Sequence, residues 1–249
     1  MSELNKSGVF SVRTNHEGRA RHSVRAFVAT DQARRAQKMK RILFGCIVCS
    51  VCLIALGEGK PVYENHFEKE TVGQAPPDFL ILDGGFVVKE ENSNKFLELP
   101  GTPLDSFSVQ FGPAQTDNVA VSARINGTSK GRRYPTFGLG INGSAGYRLQ
   151  VSPGKKTLEL LKDQEIKKSI PYVWKSGQWT KLRLQLRKVK DGEWKVEAKA
   201  WEEGGSEPQQ WMLSSEETEA PSTGRPSVFA SPFSGTPLQF DDFVLTTVE

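Results

Sequence analysis

The chain is poor in the residues that most cofactor-free enzymes and disulfide-braced domains require. Its 249 residues include three cysteines and three histidines. Cys46, Cys49 and Cys52 sit together in one apolar run, and beyond residue 57 there is no cysteine and a single histidine, His66. Thiol catalysis, disulfides and zinc sites rich in His or Cys are therefore excluded from residues 58–249. The regular cysteine spacing is not a metal motif either, because that run holds no His or carboxylate beside it. A stretch of 192 residues without a disulfide is long enough to be held by its core alone.

Long hydrophobic runs are also scarce. The one present, Ile42–Gly57, has 16 residues, short of the about 20 that span a bilayer. Met39, Lys40 and Arg41 precede it and the small-residue stretch Ala55-Leu56-Gly57 ends it. Basic start, apolar middle and small-residue end make residues 39–57 a signal peptide, with cleavage after Gly57. The expected location is secreted, periplasmic or cell-surface, with membrane contact only through this segment, cleaved or retained as an anchor. Residues 1–38 are polar and basic without apolar periodicity, which fits a disordered extension or a start codon assigned upstream of Met39.

A basic surplus is missing as well once the leader is set aside. The whole chain carries 33 Lys+Arg and 29 Asp+Glu, but residues 1–57 hold 10 of those cations and 3 of the acids. The remainder, residues 58–249, has 23 and 26 and a net charge of −3. Nucleic acid is thereby dropped as a partner.

What residues 58–249 do contain is alternation. In Lys181-Leu-Arg-Leu-Gln-Leu-Arg187 the three leucines face one way and the polar residues the other. Val119–Ile125, Phe137–Ile141 and Tyr147–Val151 repeat the pattern, the period of half-buried strands. Turn pairs such as Asp83-Gly84, Asn126-Gly127, Asn142-Gly143 and Asp191-Gly192 punctuate the runs at short intervals. Eleven to thirteen strands are predicted, with Thr157–Lys168 also extended and Glu202–Pro226 a long loop carrying one strand. The fold class is all-β: a two-sheet antiparallel jelly-roll β-sandwich over residues 58–249.

The stretches "HFEKETVGQAPPDFLILDGGFVV", "GYRLQVSPGKKTLELLK", "WKSGQWTKLRLQL" and "PLQFDDFVLTTVE" together resemble concanavalin A-like jelly rolls. They are similar in strand order and spacing to the laminin-G-like and 3-keto-disaccharide-hydrolase-like domains that bacteria export. The resemblance implies a glycan-associated fold, used by lectins, carbohydrate-binding modules and glycosidases alike. Three functions stay open: a lectin-like module binding a polysaccharide or other glycan, a glycoside hydrolase or related sugar-processing enzyme, and a non-catalytic structural or surface-assembly protein. The laminarinase-like enzymes of this fold carry Glu-x-Asp-x-x-Glu on one strand. The nearest match, Glu197–Glu202, has Lys199 at the middle acid, so no catalytic residue is assigned and an enzyme is disfavoured.

Binding candidates are easier to name. Trp201 shares parity with Lys195, Glu197 and Lys199, so it belongs to the polar face of its strand, as a sugar platform or under a covering loop. Trp179 and Trp194 read as core. Arg132, Arg133 and Tyr134 occupy one loop, either solvated or binding an acidic or sulfated glycan through bidentate contacts. In Pro237–Leu245, Asp242 shares parity with Leu238, Phe240 and Val244. A carboxylate at core parity needs a partner. In the jelly rolls this chain resembles, the first and last strands often lie side by side and a structural Ca2+ is common. The resemblance thus implies Asp242, with Asp241 and Glu68 as helpers, as a candidate ligand set joining those strands. The alternative is that Asp242 caps a turn or pairs with an arginine such as Arg124 or Arg148.

Overall fold

Strands that are apolar on one face alone must bury that face against a second sheet, and the computed structural model, which describes residues 60–248, does this with fifteen strands. The leader at 39–57, its cysteines and residues 1–38 lie outside the described residues. Among the described residues no helix is long and apolar enough to cross a membrane.

One sheet has eight strands. Its path runs β13 (Leu213–Glu217), β12 (Glu193–Glu202), β11 (Thr180–Lys190), β6 (Val119–Asn126), β15 (Leu238–Thr247), β4 (Asn94–Leu99) and β3 (Val87–Glu91). The eighth strand, β1 (Pro61–Asn65), shares β15's outer edge with β4: β4 pairs with Leu238–Phe240 and β1 with Phe243–Thr246. The other sheet has seven strands in the order β10 (Glu165–Pro171), β9 (Thr157–Lys162), β8 (Tyr147–Ser152), β7 (Thr136–Ile141), β14 (Ser227–Ser231), β5 (Phe107–Gln110) and β2 (Leu80–Asp83). All these pairings are antiparallel. The extended reading of Thr157–Lys168 resolves into β9 and β10, joined at Asp163-Gln164, both at positive φ as a two-residue hairpin turn demands.

The inward faces form one core. Leu182, Leu184 and Leu186 of β11 and Val121 and Ile125 of β6 are fully buried in one cluster with Phe137, Leu139, Leu149 and Val151 of the other sheet. Each such side chain contributes roughly 1.5–3 kcal/mol through burial. Phe243 anchors the end near β1, its ring 4.5 Å from Phe111 and stacked on Phe79 at 5.8 Å.

Two parity expectations fail, for different reasons. Asp241 pairs with Arg124 and Val244 with Ser122, so two residues of β15 oppose one of β6: a β-bulge. Asp242 supplies the extra residue with φ 55°, a left-handed conformation that aspartate tolerates better than most residues. The bulge flips the phase, so Phe243 and Leu245 take the core positions. Asp241 and Asp242 both fall on the outer face, and Val244 with them. Asp241 is the buried carboxylate, not Asp242. Trp179, in turn, keeps the parity of Lys181 and Arg183 and stays half-buried on the outer face. Trp194 is in the core as expected, with Nε1 donating to Asp117 Oδ2 at 2.8 Å.

Candidate functional site

Two regions outside the core gather chemistry, one on each sheet. On the eight-stranded sheet the bulge delivers Asp241 and Asp242 to Arg124 of the neighbouring β6. The guanidinium donates to Asp241 Oδ2 at 2.6 Å, Asn94 Oδ1 at 3.0 Å and Glu203 Oε1 at 2.8 Å. Its Nε lies 3.1 Å from Asp242 Oδ2, and its Cζ sits over the Trp179 ring, 4.6 Å from the ring centre. His66, immediately after β1, bonds Asp242 Oδ1 through Nδ1 at 2.8 Å. Because an ionised carboxylate only accepts, Nδ1 carries the hydrogen. Burial drives the Asp241 pKa up, against the hydrogen bonds from Arg124, the Asp242 amide and Asn94.

The imidazole thus ties the end of the first strand to the last, and the guanidinium ties the last strand to β6, the start of β4 and Glu203. Arg124 is the arginine that pairs with Asp242. Glu68 is elsewhere: its carboxylate accepts from the Lys95 amide at 3.3 Å. Among the described residues no group of three or more His, Cys, Asp or Glu converges as metal ligands would.

Trp201 stands on the same outer face, opposite Lys181 in register. It is half-buried beside Glu207, Arg183 and Lys181, on a pocket of about 160 Å³. The β12–β13 connection crosses this face: Lys199 Nζ donates to Pro208 O at 2.9 Å, pairs with Glu207 at 2.7 Å and lies 4.5 Å from the Trp211 ring centre. Glu197, on the same polar face, is also buried. It accepts from Gln185 at 2.8 Å and Arg187 at 3.1 Å, with Lys195 also at 3.1 Å. Burial raises its pKa, but these donors together outweigh burial and hold it below the ordinary value.

The second region is an open cleft of about 520 Å³ at one end of the seven-stranded sheet's outer face. Its floor is built from strand ends: Gln150 and Ser152 at the end of β8, Thr136 at the start of β7, Ser231 at the end of β14, and Ser106 just before β5. One wall is the β6–β7 loop with Arg132, Arg133 and Tyr134; Lys155 in the β8–β9 turn and Phe233 after β14 supply others. The structure therefore brings three of the four binding candidates into this cleft and leaves Trp201 on the opposite sheet.

The loop is held in shape. Lys130 and Arg133 exchange both backbone hydrogen bonds, at 3.0 and 3.1 Å, around Gly131 at φ 62°, a conformation costly for most side chains. Ser129 N donates to Ser176 Oγ at 2.8 Å, and Thr236 Oγ1 to Thr128 O at 2.9 Å. Two aromatics are left in solvent at the cleft, Tyr134 at 39% and Phe233 at 45% exposure. No Asp or Glu is among the lining residues.

Beside the floor, paired with Gln150 across β8 and β9, lies Glu159, its side chain only 2% exposed. Oε2 accepts from Gln150 Nε2 at 2.8 Å and Ser152 Oγ at 3.0 Å; Oε1 accepts from Thr157 Oγ1 at 2.9 Å and Lys155 Nζ at 3.3 Å. Burial raises its pKa, yet the bonds from Thr157, Ser152 and Lys155 outweigh burial and leave it lowered, so it is a carboxylate at neutral pH. Sequence reasoning missed Phe233, Gln150, Ser152, Lys155 and Glu159. Phe233 had a visible signal, a bulky ring in the turn-rich stretch Ser231-Pro-Phe-Ser-Gly235. The others share only the outward parity of their strands or a turn position, as do dozens of surface residues.

No protein-family model matches the chain, and no curated protein matches it either. Solved structures do match over most of its length. The carbohydrate recognition domain of Emp46p, in a metal-free form, superposes with a TM-score of 0.55 at 10% identity, covering 78% of this chain and 100% of that one. Its potassium-bound form gives 0.54 at 10% identity, over 77% and 100%. A Bacillus subtilis protein of unknown function with a galectin-like fold gives 0.51 at 13% identity, over 77% and 97%. Identities this low establish the fold: a galectin-like jelly-roll β-sandwich.

Proposed function

We propose that the chain is an exported, lectin-like module that binds a glycan in the cleft at the end of the seven-stranded sheet. The observation that carries this reading is the pairing of two solvent-exposed rings, Tyr134 and Phe233, with a floor of hydroxyl and amide side chains. Sugars offer apolar C–H faces to rings and hydroxyls to such a floor. Solved relatives in fold include a domain named for carbohydrate recognition, which supports the same choice. Glycosidic hydrolysis of the usual kind needs two carboxylates flanking the bond, and the cleft lining offers none. Export follows from the expected signal segment at 39–57. The similarity to laminin-G-like and 3-keto-disaccharide-hydrolase-like domains belongs with this reading as a finer family assignment.

Retention of the protein on insoluble plant, algal and bacterial polysaccharides, with soluble products assayed in the same tubes, tests it. At least one matrix should retain the protein and release no sugar. Tyr134→Ala and Phe233→Ala should each weaken retention about tenfold, the loss of about 1.4 kcal/mol of ring stacking, with the melting temperature unchanged because both rings are exposed. Product release would move the protein among sugar-processing enzymes. Retention by no matrix would favour a structural surface role.

A further inference from the structure

The hydrogen-bond directions at the cleft floor assign a chemical polarity to its ligand. Glu159 is ionised and can only accept. Gln150 must therefore turn its amide nitrogen toward it, and that nitrogen also donates to Ser152 Oγ at 2.9 Å. Both amide hydrogens are used. The Ser152 hydroxyl hydrogen is used as well, on Glu159. What these two lining side chains retain is acceptor capacity: Gln150 Oε1, with no donor among the described residues, and a lone pair on Ser152. At Gln150 and Ser152 the floor takes donors, which sugar hydroxyls are, and the negative charge beside them repels an anion.

The rim has the opposite character. Arg132 and Arg133 are exposed, and neither has a carboxylate partner among the described residues. Lys155 is also largely exposed, sharing Glu159 with the floor.

We propose that the cleft selects an acidic glycan, a sugar bearing a carboxylate or sulfate, with that group on Arg132 and Arg133 and its hydroxyls donating to Gln150 and Ser152. Glu159 acts as a positioning residue that keeps the floor an acceptor surface. A neutral sugar satisfies the floor alone; an acidic sugar satisfies floor and rim together. The inference rests on the glycan-binding reading above.

The test is binding of the full chain to soluble polygalacturonate, a sulfated galactan and neutral galactan, each at low and high NaCl. At low salt one or both acidic polymers should bind at least about tenfold tighter than the neutral one, the worth of a charge-assisted contact, and salt should erase the difference. Preference for the uronate or for the sulfate polymer identifies the group; either result supports the proposal. The double variant Arg132→Gln/Arg133→Gln should lose the preference and the salt dependence while keeping neutral binding and thermal stability. Glu159→Gln, measured well below its melting temperature, should weaken neutral binding and, because it also removes a charge that repels an anion, weaken acidic binding by a smaller factor. Equal binding of acidic and neutral polymers, or an acidic preference untouched by the arginine changes, overturns the inference while glycan binding stands. If none of the three polymers binds and no polysaccharide matrix retains the protein, both fail together.

Discussion

Arg124 on the eight-stranded sheet reaches Asp241, Asp242, Asn94 and Glu203 and sits over Trp179. Arg132 and Arg133, on the loop over the seven-stranded sheet, reach no carboxylate among the described residues. The residue type is the same and the settings are opposite. A guanidinium held by several groups of its own chain is a fastener, and here it joins β6, the last strand, the start of β4 and Glu203. Guanidinium groups left open beside two exposed rings are where the proposed ligand binds. Cations therefore locate the candidate site only when sorted by partner, since counting them marks both faces alike.

The largest expected effect lies on the closed face. Arg124→Met strands the buried Asp241 carboxylate without its cation, and breaking a buried pair in this way costs roughly 3–5 kcal/mol. Chemical denaturation should show that loss, and adding Asp241→Asn should recover part of it. A variant as stable as the parent would mean the network fastens nothing. The closed face also sets a smaller, pH-dependent effect. Glu197 has its pKa lowered on folding, so its contribution is present above the ordinary carboxylate pKa of about 4.3 and is lost as pH falls through its folded value. Asp241, with a raised pKa, acts in the reverse sense, contributing least once pH has risen through its folded value. Glu197→Gln should therefore flatten the acid limb of the stability curve by about 1 kcal/mol. An acid limb as steep as the parent's would contradict the assignment. The smallest effect concerns calcium. With Arg124 and His66 already on the two aspartates, millimolar calcium and chelator should give the same melting temperature, whereas stabilisation that grows with calcium concentration would restore the metal role for Asp241, Asp242 and Glu68.

Most of the architecture was legible because alternation reports burial directly. The leucines of β11, the β7 and β8 runs and the division of Thr157–Lys168 into strands all follow from period two and turn pairs. The strand count was low because short strands such as β2, Leu80–Asp83, are exposed throughout and show no alternation. The parity of Asp242 was misread for a different reason. A one-residue bulge has no strong sequence mark, yet it inverts every face beyond it. Trp179 was placed in the core because it leads from a turn into the Leu182–Leu186 strand, although its parity with Lys181 already put it outside. The site was half legible. Arg132, Arg133 and Tyr134 share one loop and were visible as a cluster, while Gln150, Ser152 and Glu159 become a floor only when β8 and β9 are paired, and pairing is a long-range fact.

Isotope-labelled protein titrated with an oligosaccharide cut from the retained polysaccharide tests the central claim most directly, by locating the amide shifts on the fold. The cleft predicts the largest shifts in residues 129–136, 150–156 and 231–235, with the surroundings of Trp201 unmoved. Shifts centred on Trp201, Lys181 and Arg124, with the arginine loop silent, would contradict it and return the site to the eight-stranded sheet.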